Sequence, residues 1–165
     1  MAKGTPAAKK AVRRPAAARA APDLGWRRGN VGRLLNNAVK RFESRILHHM
    51  QRDGSGYEGF TPSHIAITRN LDLEGTRASE LARRAGITKQ SMGELIIQLE
   101  ARGIVERRPD PTDGRAKIVF FTPAGLQWLD AFGAALSRAE QEMRDALGPD
   151  ALEALKQALH KYDQE

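Results

Sequence analysis

The stretch from Arg77 to Val105, RASELARRAGITKQSMGELIIQLEARGIV, constrains this chain more than any other. Ser79 to Ala85 sets Leu81, Ala82 and Ala85 along one face of a short helix. Gly86 follows where a helix C′ residue takes positive φ, which glycine adopts without a Cβ clash. Ile87 is placed to plug the corner, and Thr88 to cap a second helix. That helix carries Met92, Leu95, Ile96 and Leu99 at i, i+3, i+4 and i+7, the spacing of a buried stripe. Lys89, Gln90, Gly93, Glu94, Ile97 and Gln98 fall on its other face, and Gly103 closes it. Two short helices joined by a tight corner make a helix-turn-helix, whose second helix is shaped to enter a DNA major groove.

The next residues sharpen this. Ile104 to Arg108 alternates weakly, Pro109-Asp110-Pro111-Thr112-Asp113-Gly114 is dense in turn formers, and Arg115 to Phe121 is β-branched and aromatic. A hairpin directly after a helix-turn-helix is a wing. Its tip carries Asp113 and Arg115, with Lys117 two residues on. The expected fold is therefore mainly α with a small β-hairpin wing.

Residues 78 to 129 resemble the MarR family of bacterial winged helix-turn-helix transcriptional regulators. The likeness is carried by Glu-Leu-Ala at 80–82, by L-E-x-x-G-I-V-x-R from Leu99 to Arg107, by D-x-R from Asp113 to Arg115, and by F-T-P-A-G from Phe121 to Gly125. It implies one MarR-type domain over 26–165, with a winged helix at about 61–121 and dimerisation helices at about 30–51 and 123–163. It also implies a homodimeric repressor that binds double-stranded DNA at a pseudo-palindromic operator and works in the bacterial cytoplasm, on the nucleoid. The effector it implies is a small aromatic acid or phenol bound between the dimer helices and the DNA-binding lobe. No cofactor is expected.

The flanking segments agree in layout. Val31, Leu34, Leu35, Ala38, Phe42, Ile46 and Met50 trace one helical face, and Asp53-Gly54-Ser55-Gly56 breaks it. Thr61-Pro62 starts another helix, read as reaching Glu74-Gly75, and Thr122-Pro123 repeats that start for a helix to about Leu147. Pro149-Asp150 opens the last one. The outer helices are amphipathic and need a surface to bury against, which a second subunit would provide.

For groove contacts the candidates are Lys89, Gln90, Ser91 and Gln98, since glutamine pairs with adenine and lysine reaches guanine or phosphate. The plainer reading is a solvated helix face. Gly93 and Glu94 depart from the resembled family, which tends to place a threonine and a basic residue there. Glu94 is repelled by phosphates unless it accepts from a cytosine amino group. Arg77 stands where the family usually has a capping Thr or Ser, and Thr76 is the substitute cap. Arg115 matches the family's wing arginine, and its flat guanidinium suits a narrow minor groove. Asp113 is expected to orient Arg115 through a bidentate pair. Arg107, Arg108 and Lys117 are phosphate candidates, and Arg83 and Arg84 either clamp the backbone or face water. For the effector the candidates are Trp26, Phe42, Phe60, His64, Arg69 and Trp128, which read equally well as core aromatics and surface charges.

The net charge of +7 misleads. Residues 1–28 hold eight Lys/Arg against one acid, leaving nineteen of each in the remainder. Residues 1–25, rich in Ala, Pro, Lys and Arg, are expected to be disordered. They read as a solubilising tail, a phosphate-binding arm or a transit peptide, and all three stay open. With no cysteine, disulfides and thiolate chemistry are excluded. His48 and His49 are adjacent and diverge on a helix, so a zinc site is unsupported. No nucleophile elbow, Walker loop or carboxylate pair stands out, so no enzyme is expected, and no apolar run is long enough for a membrane span. Two rivals remain: an architectural DNA binder led by the basic tail, and a winged-helix protein-interaction module.

Overall fold

The computed structural model describes residues 25–52 and 57–164. Apart from Gly25, the expected basic tail lies outside the described residues, as does the Asp53–Gly56 break. A single turn, α1 (Trp26–Gly29), leads into α2 (Val31–Arg52). Asn30 separates them, its side-chain oxygen accepting from the Arg33 N–H at 2.9 Å, as an N-cap does.

Helix α3 (Pro62–Asn70) starts at the expected Thr61-Pro62 signal but stops short of Glu74-Gly75, because Leu71 turns extended and buries its side chain. The segment after it forms β1 (Thr76–Arg77), then α4 (Ala78–Arg84) and α5 (Lys89–Ala101) follow as the helix-turn-helix. Gly86 takes φ 64° at the corner, and the Thr88 hydroxyl accepts from the Ser91 N–H at 3.0 Å. Ile87 plugs the corner less than expected and stays partly exposed.

The wing strands are β2 (Val105–Asp110) and β3 (Asp113–Phe121). The long run of turn formers therefore contracts to Pro111-Thr112, with a register shift between Pro109 and Asp110. The sheet has three strands rather than the expected two. Their order is β1-β3-β2, all antiparallel, with Thr76 opposite Val119 and Arg107 opposite that same residue from the other side. Helices α6 (Pro123–Leu147) and α7 (Pro149–Asp163) complete the chain, broken at Gly148 as expected.

One core joins these parts. Ile46 and Met50 of α2, Ile65 and Ile67 of α3, Leu81 of α4, and Met92, Ile96 and Leu99 of α5 are all buried. Trp128 of α6, only 1% exposed, stacks between Phe60 and Phe132 at 5.1 and 5.6 Å. Arg45 of α2 pairs with Glu142 of α6, and the His49 Nε2 lies 3.0 Å from the same carboxylate. Among the described residues no group of three or more His, Asp or Glu could hold a metal. No described helix is long and apolar enough to cross a membrane.

The helix-turn-helix and wing meet α6 at a tight joint. The Ile104 carbonyl accepts from the Thr122 N–H at 3.0 Å, and the Thr122 hydroxyl accepts from the Gly125 N–H at 2.9 Å. A Cβ on Gly125 would sit 1.9 Å from the Ile104 carbonyl oxygen, so only glycine fits without moving backbone. Gly125→Ala is expected to cost about 1–3 kcal/mol, the overpacking range, in urea denaturation. Gly133→Ala, in open space on the same helix, should be neutral or stabilising. Equal midpoints for the two variants would show that the joint is slack.

Candidate nucleic-acid interface

Helix α5 buries Met92, Ile96 and Leu99, which turns Gln90, Glu94 and Ile97 to the centre of its outer face. Ser91 and Gln98 lie on the flank beside α3, where they line a cleft with Ser63 and Ala66. Lys89 and Gly93 lie on the flank beside the wing. Gln90 donates from Nε2 to Glu94 at 3.2 Å, and the Ser91 hydroxyl stays local, 2.9 Å from Thr88 Oγ1.

Gln98 is tied down from below. The His64 Nδ1 must accept from the Thr61 N–H at 3.0 Å, so the ring proton sits on Nε2 and is donated to Gln98 Oε1 at 2.9 Å. Burial holds the His64 pKa below its ordinary value and Arg102 adds repulsion, outweighing the Gln98 hydrogen bond. His64 is thus a buried prop for α5, a role its sequence context did not reveal.

In the wing, Arg115 and Lys117 are exposed, and among the described residues neither side chain has an acidic partner. Asp113 does not form the expected bidentate pair with the Arg115 guanidinium. Its Oδ1 instead accepts from the Arg115 backbone N–H at 3.0 Å, closing a local turn and leaving the guanidinium unclaimed. Arg107 and Arg108 are less available. Arg107 grips Glu100 with Nη2–Oε2 at 2.6 Å, while Arg108 pairs with Glu106 and lies over the Phe120 ring. Arg83 and Arg84 both close on Glu80, and Arg84 also reaches Asp72 and the Asn70 carbonyl, so neither simply faces water.

The strongest link in the wing joins two residues that the sequence reading left out of the site. The buried Asp110 carboxylate accepts from Arg77 Nε at 2.6 Å and from the Thr112 N–H and hydroxyl at 2.8 and 2.7 Å. Arg77 also donates to Thr112 Oγ1 at 3.0 Å. Arg77 stands at the α4 N-cap without capping it, and Thr76 does not substitute, since its hydroxyl bonds Asp72. The wing tip is instead bolted to the start of the helix-turn-helix.

The six effector candidates scatter. Trp26 is 69% exposed on α1, while Phe60, His64 and Trp128 belong to the core. Arg69 pairs with Glu43 at 3.1 Å. Phe42 and Arg69 share one apolar cleft of about 380 Å³ with Leu34, Leu35 and Leu159. Phe42 also lines a second, of about 330 Å³, with Arg41 and Arg45 between α2 and α6.

A profile described as the MarR family matches residues 58–116. The transcriptional regulator HosA of Escherichia coli O111:H- is 26% identical over 129 residues, spanning 78% of this chain and 96% of that protein. The transcriptional repressor CouR, solved bound to a 23-mer DNA duplex, superposes with a TM-score of 0.70 and 25% identity, over 87% of this chain and 99% of that one. A mutant MarR of Escherichia coli complexed with operator DNA also gives 0.70, at 19% identity and covering 86% and 99% of the two chains, a likeness of fold.

The Asp110 clasp has a signature in acid. Thr112, through its N–H and then its hydroxyl, and Arg77 hold this carboxylate down at about 2. A carboxyl depressed in the folded state stabilises fully above its unfolded value of about 4, and that stability drains as pH falls towards the folded value. Asp110→Asn should therefore lower the denaturation midpoint at neutral pH and narrow its fall on acidification. Glu80 and Glu142, also at about 2, retain the rest of the slope. A variant whose pH profile merely parallels the parent's would remove the clasp from the stability balance.

Proposed function

We propose that this chain is a member of the MarR family and a DNA-binding transcriptional regulator, acting as a homodimeric repressor at a pseudo-palindromic operator. The observation that carries the reading is an exposed α5 face continued by a wing whose Arg115 and Lys117 have no acidic partner among the described residues. Helix α5 enters the major groove, and Arg115 reaches the minor groove, where negative potential concentrates. CouR, a repressor of the same fold seen on DNA, supports both the docking and the sense of regulation.

Dimerisation is supported by an apolar surface at the outer helices. Val31, Leu34 and Val39 of α2 and Leu159 and Tyr162 of α7 stand exposed, and the cleft between these helices is lined mainly by leucine and valine. Covering this surface with a second copy removes apolar area from water and sets two α5 helices for two half-sites. The effector, a small aromatic acid or phenol, fits the cleft between α2 and α6. Phe42 offers ring contact there and Arg41, unpaired among the described residues, offers charge. Such a ligand releases the operator only by preferring a dimer in which the α5 spacing is wrong.

Fluorescence anisotropy on DNA from upstream of its own gene, with random competitor present, tests the reading. Arg115→Ala should weaken binding by at least about tenfold, the worth of one charge-assisted contact, while Arg83→Ala, closed on Glu80, should change little. If competitor abolishes all binding by the parent, the sequence-indifferent architectural reading replaces this one. Separately, Leu34→Glu should convert the dimer to monomer in sedimentation and lose operator affinity with it. A monomeric parent that still binds its operator tightly would defeat the dimer.

A further inference from the structure

The centre of the α5 outer face carries an uncompensated negative charge. The neighbouring carboxylates of α4, α5 and β2 are each closed by an arginine: Glu80 by Arg83 and Arg84, Glu100 by Arg107, Glu106 by Arg108 and Asp110 by Arg77. Glu94 alone among them has no cationic partner in the described residues. It is held only by the neutral Gln90 amide, which occupies Oε1 at 3.2 Å and leaves Oε2 free. One turn on, Ile97 presents its side chain to solvent, 55% exposed, on a helix that buries its other large apolar residues more fully. Gly93 beside them supplies no side chain, and nothing lies within 4 Å of where its Cβ would be.

This combination is costly on a face that meets phosphates, unless the acid finds a donor. The major groove offers two base amino groups. The adenine amino lies beside the N7 acceptor, which repels a carboxylate, whereas the cytosine amino has a C–H neighbour. An exposed branched apolar side chain in the same groove matches the thymine methyl. Three residues of helix advance about 4.5 Å, and base pairs stack about 3.4 Å apart, so the two side chains reach the same or adjacent steps.

We propose that Glu94, oriented by Gln90, selects a cytosine in each operator half-site, and that Ile97 selects a thymine within one or two base pairs of it. The proposal rests on the DNA-binding reading above. Glu94 acts by exclusion as well as attraction, because at any other base its charge is left unpaired against the backbone. The binding helix thereby gives up affinity for random DNA in exchange for discrimination.

The test is selection from a random duplex library with the full chain, its Glu94→Ala variant and its Ile97→Ala variant. Glu94 and Ile97 are exposed, and unchanged melting temperatures would confirm intact folding. The parent should enrich half-sites with a fixed cytosine and a nearby thymine. Glu94→Ala should lose the cytosine preference while binding random duplex more tightly. On the enriched site, replacing that cytosine with 2-pyrimidinone, which lacks the amino group, should weaken the parent by about 5- to 100-fold beyond any effect on Glu94→Ala. Replacing the thymine with uracil should weaken the parent by about threefold and Ile97→Ala hardly at all. A parent that enriches a motif whose cytosine column survives Glu94→Ala overturns the inference and leaves the regulator reading standing. A parent that enriches no motif defeats both.

Discussion

The Ile104 carbonyl is the point on which the two halves of this molecule turn. The N–H of the same residue donates back to the Leu99 carbonyl of α5, Val105 follows as the first wing strand, and the wing returns through Phe121 so that the Thr122 N–H donates to the Ile104 carbonyl. Gly125 then lays the first turn of α6 directly against it. Recognition helix, wing and long helix are thus fixed by one carbonyl and the absence of one methyl group. Close packing makes such a joint hold one geometry rather than a continuum, since the Gly125 backbone lies directly against the Ile104 carbonyl.

A second constraint governs charge. Helix-turn-helix and wing are rich in arginine, yet most of that arginine is spent internally, on Glu80, Glu100, Glu106 and Asp110. These pairs are exposed or half-exposed for the most part and are individually worth little. Their collective effect is on presentation. Cations that remain for a partner are few and placed, with Lys89 at the start of α5 and Arg115 and Lys117 along the wing. Net charge, dominated by the first residues of the chain, carries no information about this arrangement.

The helical part of the fold was legible because its rules are local. The stripe from Met92 to Leu99, the Gly86 corner and the Thr122-Pro123 start each need only a few adjacent residues. The missing strand was not. Thr76 and Arg77 are too few to show alternation, and what makes them a strand is Val119, far along the chain. Asp110 sat among turn formers and read as loop, and its burial depends on Arg77 arriving from the opposite edge of the sheet. His64 looked like a ligand group beside aromatics, and its ring does lie 5.5 Å from that of Phe60, but both of its ring nitrogens are taken by Thr61 and Gln98. Asp113 is a different case, since an aspartate bonding the N–H two residues on is a local pattern that favours the turn over the side-chain pair.

The joint at Gly125 also has a mechanical meaning. Helix α6 is a rod of 25 residues, about 37 Å long, anchored to the DNA-binding lobe at one end. A rotation of about 5° at that end sweeps the far end through about 3 Å, roughly the rise of one base pair. Glycine against carbonyl is a short, stiff hinge pin, so displacement applied near Met143 or Leu147 is transmitted along the rod instead of being absorbed at its root. Stiffness at one residue sets how much motion at one end is felt at the other.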